Sequence, residues 1–290
     1  PAMTLSRDGQ RLWTGDQAGT VTAWDISSGA QLQQFDAGAG AVHVLAEAAA
    51  GDLLAVGGED GTVQVWQPAQ GSLLHTLEGH AATVTGLGFA ADGGTLFSAS
   101  QDGTLRLWNL ATGKLEQLLS GPEQGLWDLA VQPNGPWLVG AGGDGAVWVW
   151  NVDALAFEPA QLRRHGNEVN AVSFSTDGSV LGSAGADGAV YLWNAANPSA
   201  EPDALLGHRS SANSLAFAPD AAWVVTGGSD GTLRRWSLST DLLIAEACRT
   251  AGRNLTLEEW TQYFPTGVAQ YRKTCPMLDG PVASAGSMGP

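Results

Sequence analysis

The sequence predicts an all-β chain of six consecutive four-stranded units packed radially. Three observations predict this. Six segments end alike: GTVTAW, GTVQVW, GTLRLW, GAVWVW, GAVYLW and GTLRRW. Their closing tryptophans, Trp24, Trp66, Trp108, Trp150, Trp193 and Trp236, are 42, 42, 42, 43 and 43 residues apart. Chance does not hold such a register, and a fixed period of this size marks a repeat architecture. Glycine supplies 39 of 290 residues, nearly twice the usual ~7%, without a Gly-x-y period, so the glycines serve turns. Between the turns, side chains alternate with a period of two, as half-buried strands do.

Residues 80–119 show how one unit is built. Val84 to Phe89 is a first strand, and Asp92-Gly93-Gly94 turns the chain. Thr95 to Ser100 is a second strand. Asp102-Gly103 makes a tight hairpin, where glycine accepts a positive φ without a Cβ clash. Thr104 to Trp108 is a third strand, Ala111-Thr112-Gly113 turns again, and Lys114 to Leu119 is a fourth. A lone sheet of this kind would leave both faces wet, whereas radial packing buries them against neighbours and leaves short edges. The last unit carries its own fourth strand, Leu242 to Ala247.

The spacing, the Asp-Gly turns, the closing tryptophans and the dipeptides Gly79-His80 and Gly207-His208 resemble WD-repeat β-propellers over residues 1–247. The resemblance implies a protein-interaction or scaffold module without catalysis. Six units are visible where the family most often has seven. Either six blades close directly, or a seventh belongs to upstream sequence.

Ser, His and Asp recur together. Unit three has His80, Ser98, Asp102 and Trp108; unit five has His165, Ser183, Asp187 and Trp193; unit six has His208, Thr226, Asp230 and Trp236. A hydrolase would need one such set, and this one appears three times. The sets therefore read as internal hydrogen-bond networks that rigidify each unit once every member is paired, as in the structural tetrad of the family it resembles. Gly38 and Pro122 stand where units two and four should have the His, and Ala18 where unit one should have the Asp, so these units should be looser or held differently.

Other motif matches carry no chemistry. Gly227 to Gly231 fits G-x-S-x-G, but a strand follows it where a nucleophile elbow needs a helix. Gly113-Lys114 lacks the preceding glycine of a phosphate loop. No H-E-x-x-H occurs, and no Cys/His spacing suits zinc. No cofactor is expected.

After Ala247 the alternation stops. Residues 254–264 read as a short helix opened by a Thr256–Glu259 capping box and stopped by Pro265, with Trp260 and Phe264 on one face. The expected organisation is a propeller over 1–247, a helical extension docked on it over 248–280, and a flexible tail over 281–290. Cys248 and Cys275 flank the helix; free thiols are expected, with one disulfide open as an alternative. The stretch from Glu246 to Pro276 resembles the ending of large bacterial WD-repeat proteins that also carry an NTPase, caspase-like peptidase or kinase module. This implies a cytoplasmic signalling protein, with such upstream effector domains among its possible partners.

Charge narrows the partners further. The net charge is −16, and residues 1–240 hold 24 acidic side chains against 9 basic ones. Nucleic acid and anionic membrane surfaces are disfavoured, which leaves a protein or peptide. No run of about 18 apolar residues spans a membrane. In the family it resembles, ligands sit where first strands begin and second-to-third-strand turns end. That places Trp127 as a candidate anchor, with His43, Glu59, Gln101, Glu168 and Asn170 as a polar rim. The alternative for Trp127 is an inward fold that fills the space of the missing His in unit four. An enzyme using the central channel and a purely structural spacer are the competing readings.

Overall fold

The structure, a computed structural model, describes residues 2–38, 40–153 and 159–238. Two compact units emerge: Pro1–Ala221 with Val225–Arg234, and Ala222–Val224 with Arg235–Pro290. The Leu242–Ala247 strand, the 254–264 helix with Trp260 and Phe264, and both cysteines lie outside the described residues.

The first sheet is β1 (Ala2–Leu5), β2 (Arg11–Gly15), β3 (Thr20–Asp25) and β4 (Gln31–Asp36). The second is β5 (Val42–Glu47), β6 (Leu54–Gly58), β7 (Val63–Gln67) and β8 (Ser72–Leu77), with a 3-10 turn at Pro68–Gln70 between its last two strands. The third is β9 (Val84–Phe89), β10 (Thr95–Ser100), β11 (Thr104–Asn109) and β12 (Lys114–Ser120). The fourth is β13 (Leu126–Val131), β14 (Trp137–Gly142), β15 (Ala146–Asn151) and β16 (Ala160–Arg163). The fifth is β17 (Val169–Phe174), β18 (Val180–Gly185), β19 (Ala189–Asn194) and β20 (Asp203–Leu206). The sixth, among the described residues, is β21 (Ala212–Phe217), β22 (Trp223–Gly228) and β23 (Leu233–Ser237). Every sheet follows chain order from its first strand to its last, and the strand pairs are antiparallel.

The core lies between sheets. Leu96 and Trp108 pack with Val63 and Leu77 of the preceding sheet. Phe97, Leu105 and Leu119 pack with Leu126, Leu138 and Trp150 of the following one. First strands lie side by side in succession, β1 beside β5, then β9, β13, β17 and β21. Small residues permit that approach: a Cβ added to Gly86 of β9 would sit 2.5 Å from the Leu129 Cβ of β13. Each second-to-third-strand turn closes on a glycine with φ between 74° and 88°, at Gly19, Gly61, Gly103, Gly145, Gly188 and Gly231. A side chain there would strain the hairpin. The G-x-S-x-G match is this same turn in the sixth sheet, with Gly231 N–H donating to the Gly228 carbonyl.

In the third sheet the Trp108 indole N–H donates to Ser98 Oγ at 2.8 Å. Ser98 Oγ is also 2.8 Å from His80 Nε2, and His80 Nδ1 lies 3.0 Å from Asp102. Asp102 then accepts the Ala81 and Thr104 backbone N–H groups. The fifth sheet repeats this with Trp193, Ser183, His165 and Asp187 at 2.9–3.1 Å. In the sixth, His208 Nε2 is 2.8 Å from Thr226 Oγ1 and Nδ1 is 3.2 Å from Asp230.

Three sheets are held differently. In the first, Trp24 donates to Thr14 at 2.9 Å, and Asp16, two residues before Ala18, caps the turn amides of Ala18 and Thr20. In the second, Trp66 donates to Gln64, whose amide reaches the Ala37 carbonyl. Phe35 stacks on Trp66 at 4.3 Å. In the fourth, the Trp148 indole takes the place of the imidazole and donates to Asp144 at 3.1 Å, while Arg163 binds the same carboxylate at 2.8 Å. Gly140 stands where Ser98 and Ser183 would accept, and Trp150 Nε1 is buried without a partner.

Replacing Asp102 with Ala removes the acceptor of two backbone amides and leaves His80 Nδ1 with only the Thr104 hydroxyl at 3.1 Å. We expect a stability loss of about 1–3 kcal/mol with the fold retained, read as a lower Tm with an unchanged circular dichroism spectrum. An unchanged Tm would refute the role given to this network.

Candidate functional site

One backbone hydrogen bond recurs at one end of five sheets and builds a rim. The residue before the turn Asp, or its equivalent, donates to the residue that opens the first strand. The pairs are Glu59 to Ala41, Gln101 to Thr83, Gly143 to Gly125, Ala186 to Glu168 and Ser229 to Ser211, at 2.8–3.0 Å. The two segments singled out in the sequence are thus joined within each sheet.

His43, Glu59, Gln101 and Glu168 are exposed on this rim. Asn170 is half-buried, and its Nδ2 donates to the Ala212 carbonyl of the next first strand at 2.9 Å. It thereby bridges two sheets with one of its two amide N–H groups. Thr85 does the same two junctions earlier, donating to the Leu126 carbonyl at 2.6 Å.

Trp127 occupies the bridging position in the fourth sheet and makes no such bond. It is 36% exposed, the only tryptophan among the described residues in the exposed class. Its ring lies over Gly143, where an added Cβ would be 2.9 Å from the indole nitrogen. Trp148, through its bond to Asp144, occupies the space of the missing His.

Asp128 takes over the bridging role. Its carboxyl accepts the Leu129 N–H at 2.8 Å and, across the junction, the Val172 N–H of the fifth sheet at 3.0 Å. Burial pushes its pKa up to about 7 against the pull of those two amides. Sequence reading passed over it, because a single Asp in a strand carries no pattern.

The serine oxygens of the repeated Ser–His–Asp sets are shut off from solvent and already engaged. Ser98 and Ser183 are fully buried. The indole N–H occupies one side of each serine oxygen and the imidazole the other. Burial lowers the His165 pKa despite the opposing pull of Asp187. Burial alone would raise the Asp102 pKa, but His80, Thr104 and the backbone amides outweigh it and hold the carboxylate below its usual range. Among the described residues no three His, Cys, Asp or Glu side chains gather as a metal site, and no helix is long and apolar enough to cross a membrane. At the other end of the first strands, a depression of about 400 Å³ is lined by Arg7, Glu47 and Gln132 among others. These residues carry no repeated signature, and the sequence did not single them out.

Consecutive four-stranded antiparallel sheets with their first strands side by side define the β-propeller class, here with its polar sets consumed by structure and a rim left free. The WD domain, G-beta repeat family matches residues 29–67, 71–109, 113–151, 158–194 and 201–237, more than half of the chain, and the chain belongs to that family. No curated protein matches it. Each matched stretch starts near the last strand of one sheet and ends with the third strand of the next, so the sequence repeat is out of phase with the sheets. WD repeats in general serve protein interaction and scaffolding rather than catalysis.

Asp128 generates a pH dependence. Its folded pKa stands above the unfolded value of about 3.9, so between the two the folded chain holds a proton the unfolded chain has lost. Stability therefore falls as pH rises from about 4 to about 7, by up to about 1.4 kcal/mol per unit. Asp102, Asp187 and Asp230 are held low; their contribution is present above about 4 and is lost only at more acid pH. In chemical denaturation at pH 5 and pH 7, Asp128→Asn should flatten the wild-type difference. An equal slope in both proteins would contradict this assignment.

Proposed function

We propose that the chain is a recognition module that captures a protein or peptide partner on the rim of its sheets, with Trp127 as the anchor. The observation that carries this reading is the exposure of Trp127, whereas the other tryptophans among the described residues are buried or half-buried. Trp is costly to leave in water and dominates interface energetics where it anchors a partner. His43, Gln101, Glu59 and Glu168 supply a polar surround, and the two carboxylates favour basic side chains on the partner. The tail resemblance supports a place at the C-terminal end of a larger cytoplasmic bacterial signalling protein, with upstream effector domains in the same polypeptide.

The test is capture of partners from lysate by the wild type and by Trp127→Ala, scored against Tm. The variant should lose at least tenfold in affinity, a ~1.4 kcal/mol step, with Tm nearly unchanged. Unchanged capture would remove Trp127 from the site, and unfolding would make it a core residue.

A further inference from the structure

The first two sheets depart from the repeat at three positions that meet in one place. Glu47 ends β5, where the other first strands end on Leu5, Phe89, Val131, Phe174 and Phe217. Arg7 lies in the turn after β1, where the turns after the other first strands carry Ala49, Ala91, Pro133, Thr176 and Pro219. Arg11 starts β2, and its register position is neutral in the other five units. Charge at these positions is confined to the junction of the first and second sheets. There the three side chains line a depression of about 410 Å³, together with Asp8 and the small residues Ala49, Ala50 and Gly51. A volume of that size suits a small molecule. It adjoins the depression at the far end of the first strands and shares Arg7, Glu47 and Ala49 with it.

The Glu47 side chain is only 4% exposed. Its Oε1 accepts the buried Trp13 indole N–H at 3.2 Å and lies 3.9 Å from the Arg11 guanidinium, beyond hydrogen-bond distance. Its Oε2 is buried without a partner. A buried carboxylate oxygen without a donor is costly to keep, and the bond to Trp13 needs only one oxygen. Arg7 is exposed and makes no hydrogen bond or ion pair among the described residues, so its donors are unused. Arg11 is 40% exposed, with its guanidinium over the Trp13 ring at 5.5 Å. Asp8 is committed to its own turn, accepting the Ser6 hydroxyl at 2.6 Å and the Gln10 N–H at 3.0 Å.

We propose that this depression binds a free α-amino acid. An acceptor short of a donor, beside two guanidiniums short of an acceptor, selects a ligand that carries both an ammonium and a carboxylate. The ammonium binds Glu47 and supplies Oε2 with its donor. The carboxylate binds Arg7 and Arg11, since a planar guanidinium pairs with a carboxylate through two parallel bonds. Arg11 breaks no hydrogen bond to Glu47 when it turns to the ligand, and the ammonium replaces the positive charge that it withdraws. An amine alone would face two uncompensated cations, and a carboxylate alone would face Glu47. The site lies at the opposite end of the first strands from the rim and does not rest on the reading of Trp127.

The test titrates the 290-residue chain with each common amino acid by calorimetry. At least one should bind with a Kd of about 1 mM or tighter. Its decarboxylated amine and its deaminated acid should each bind about tenfold more weakly or worse. Glu47→Gln keeps an acceptor for Trp13 and should also weaken binding about tenfold or more. Arg7→Gln should do the same with Tm unchanged, because Arg7 is exposed, and it keeps the test sharp if the Glu47 variant folds poorly. Trp127→Ala should bind the amino acid as the wild type does. No heat from any amino acid at about 10 mM would overturn the proposal, and would leave Glu47 as the acceptor of Trp13 alone. So would an amine or acid analogue that binds as tightly as the amino acid, or an affinity that both substitutions leave unchanged.

Discussion

Burial between neighbouring sheets is the constraint on which the rest of this structure depends. A four-stranded sheet of about forty residues has no interior, and both of its faces are apolar. Val63 and Leu96 therefore stay dry only because one sheet lies on another, within the cluster that joins the second and third sheets. The period of 42 or 43 residues follows from this, because each unit must present its apolar positions to the next at the same height. The glycines follow too: Gly86 has no side chain because Leu129 of the next sheet occupies that volume. Stability in such an array is a sum of unit and nearest-neighbour contributions, and for that reason the ends of the array differ from its middle.

Within a sheet, the demand is polar. A buried indole N–H needs an acceptor, and the turn between the second and third strands needs a carboxylate to hold its free amides. Ser–His–Asp sets meet both demands at once in the third and fifth sheets. The second sheet meets the first demand with Gln64 and gives Asp60 to its turn amide. The fourth spends a second tryptophan on Asp144 and leaves Trp150 unpaired. The recurrence of a triad-like constellation thus reflects one structural problem solved repeatedly, with substitutions wherever another donor or acceptor reaches the same place.

Function is pushed to the ends of the strands by the same economy. Sheet faces are committed to neighbours and the polar sets to turns, so free side chains remain at the rim and at the opposite end of the first strands. The rim is regular because one backbone hydrogen bond builds it in each of five sheets. In the proposed recognition function, binding specificity comes from the rim side chains that differ from one repeat to the next. Trp127 is the largest of these, and the acidic composition of the chain sets the electrostatic background for any partner.

The sequence alone determined the strand-rich repeat, the turn glycines and the membership of the Ser–His–Asp–Trp sets. Those features are local and periodic: a strand alternates every two residues, and a tight turn needs glycine at a fixed offset. The third sheet appears where the pattern puts it, with Trp108 followed by one more strand residue at Asn109 and Leu119 by one more at Ser120. The tertiary structure alone decided how the incomplete sets are replaced, because Trp148 and Arg163 reach Asp144 from separate strands. It decided that Asn170 donates to the next sheet while Trp127, at the same register position, does not. It raised Asp128 into a carboxyl titrating near neutrality, since desolvation depends on what a neighbouring sheet places around it. It also separated Leu233 from Leu105, two leucines at the same register position, leaving the first exposed and the second buried. Register is written in the chain, but burial is a property of the neighbour.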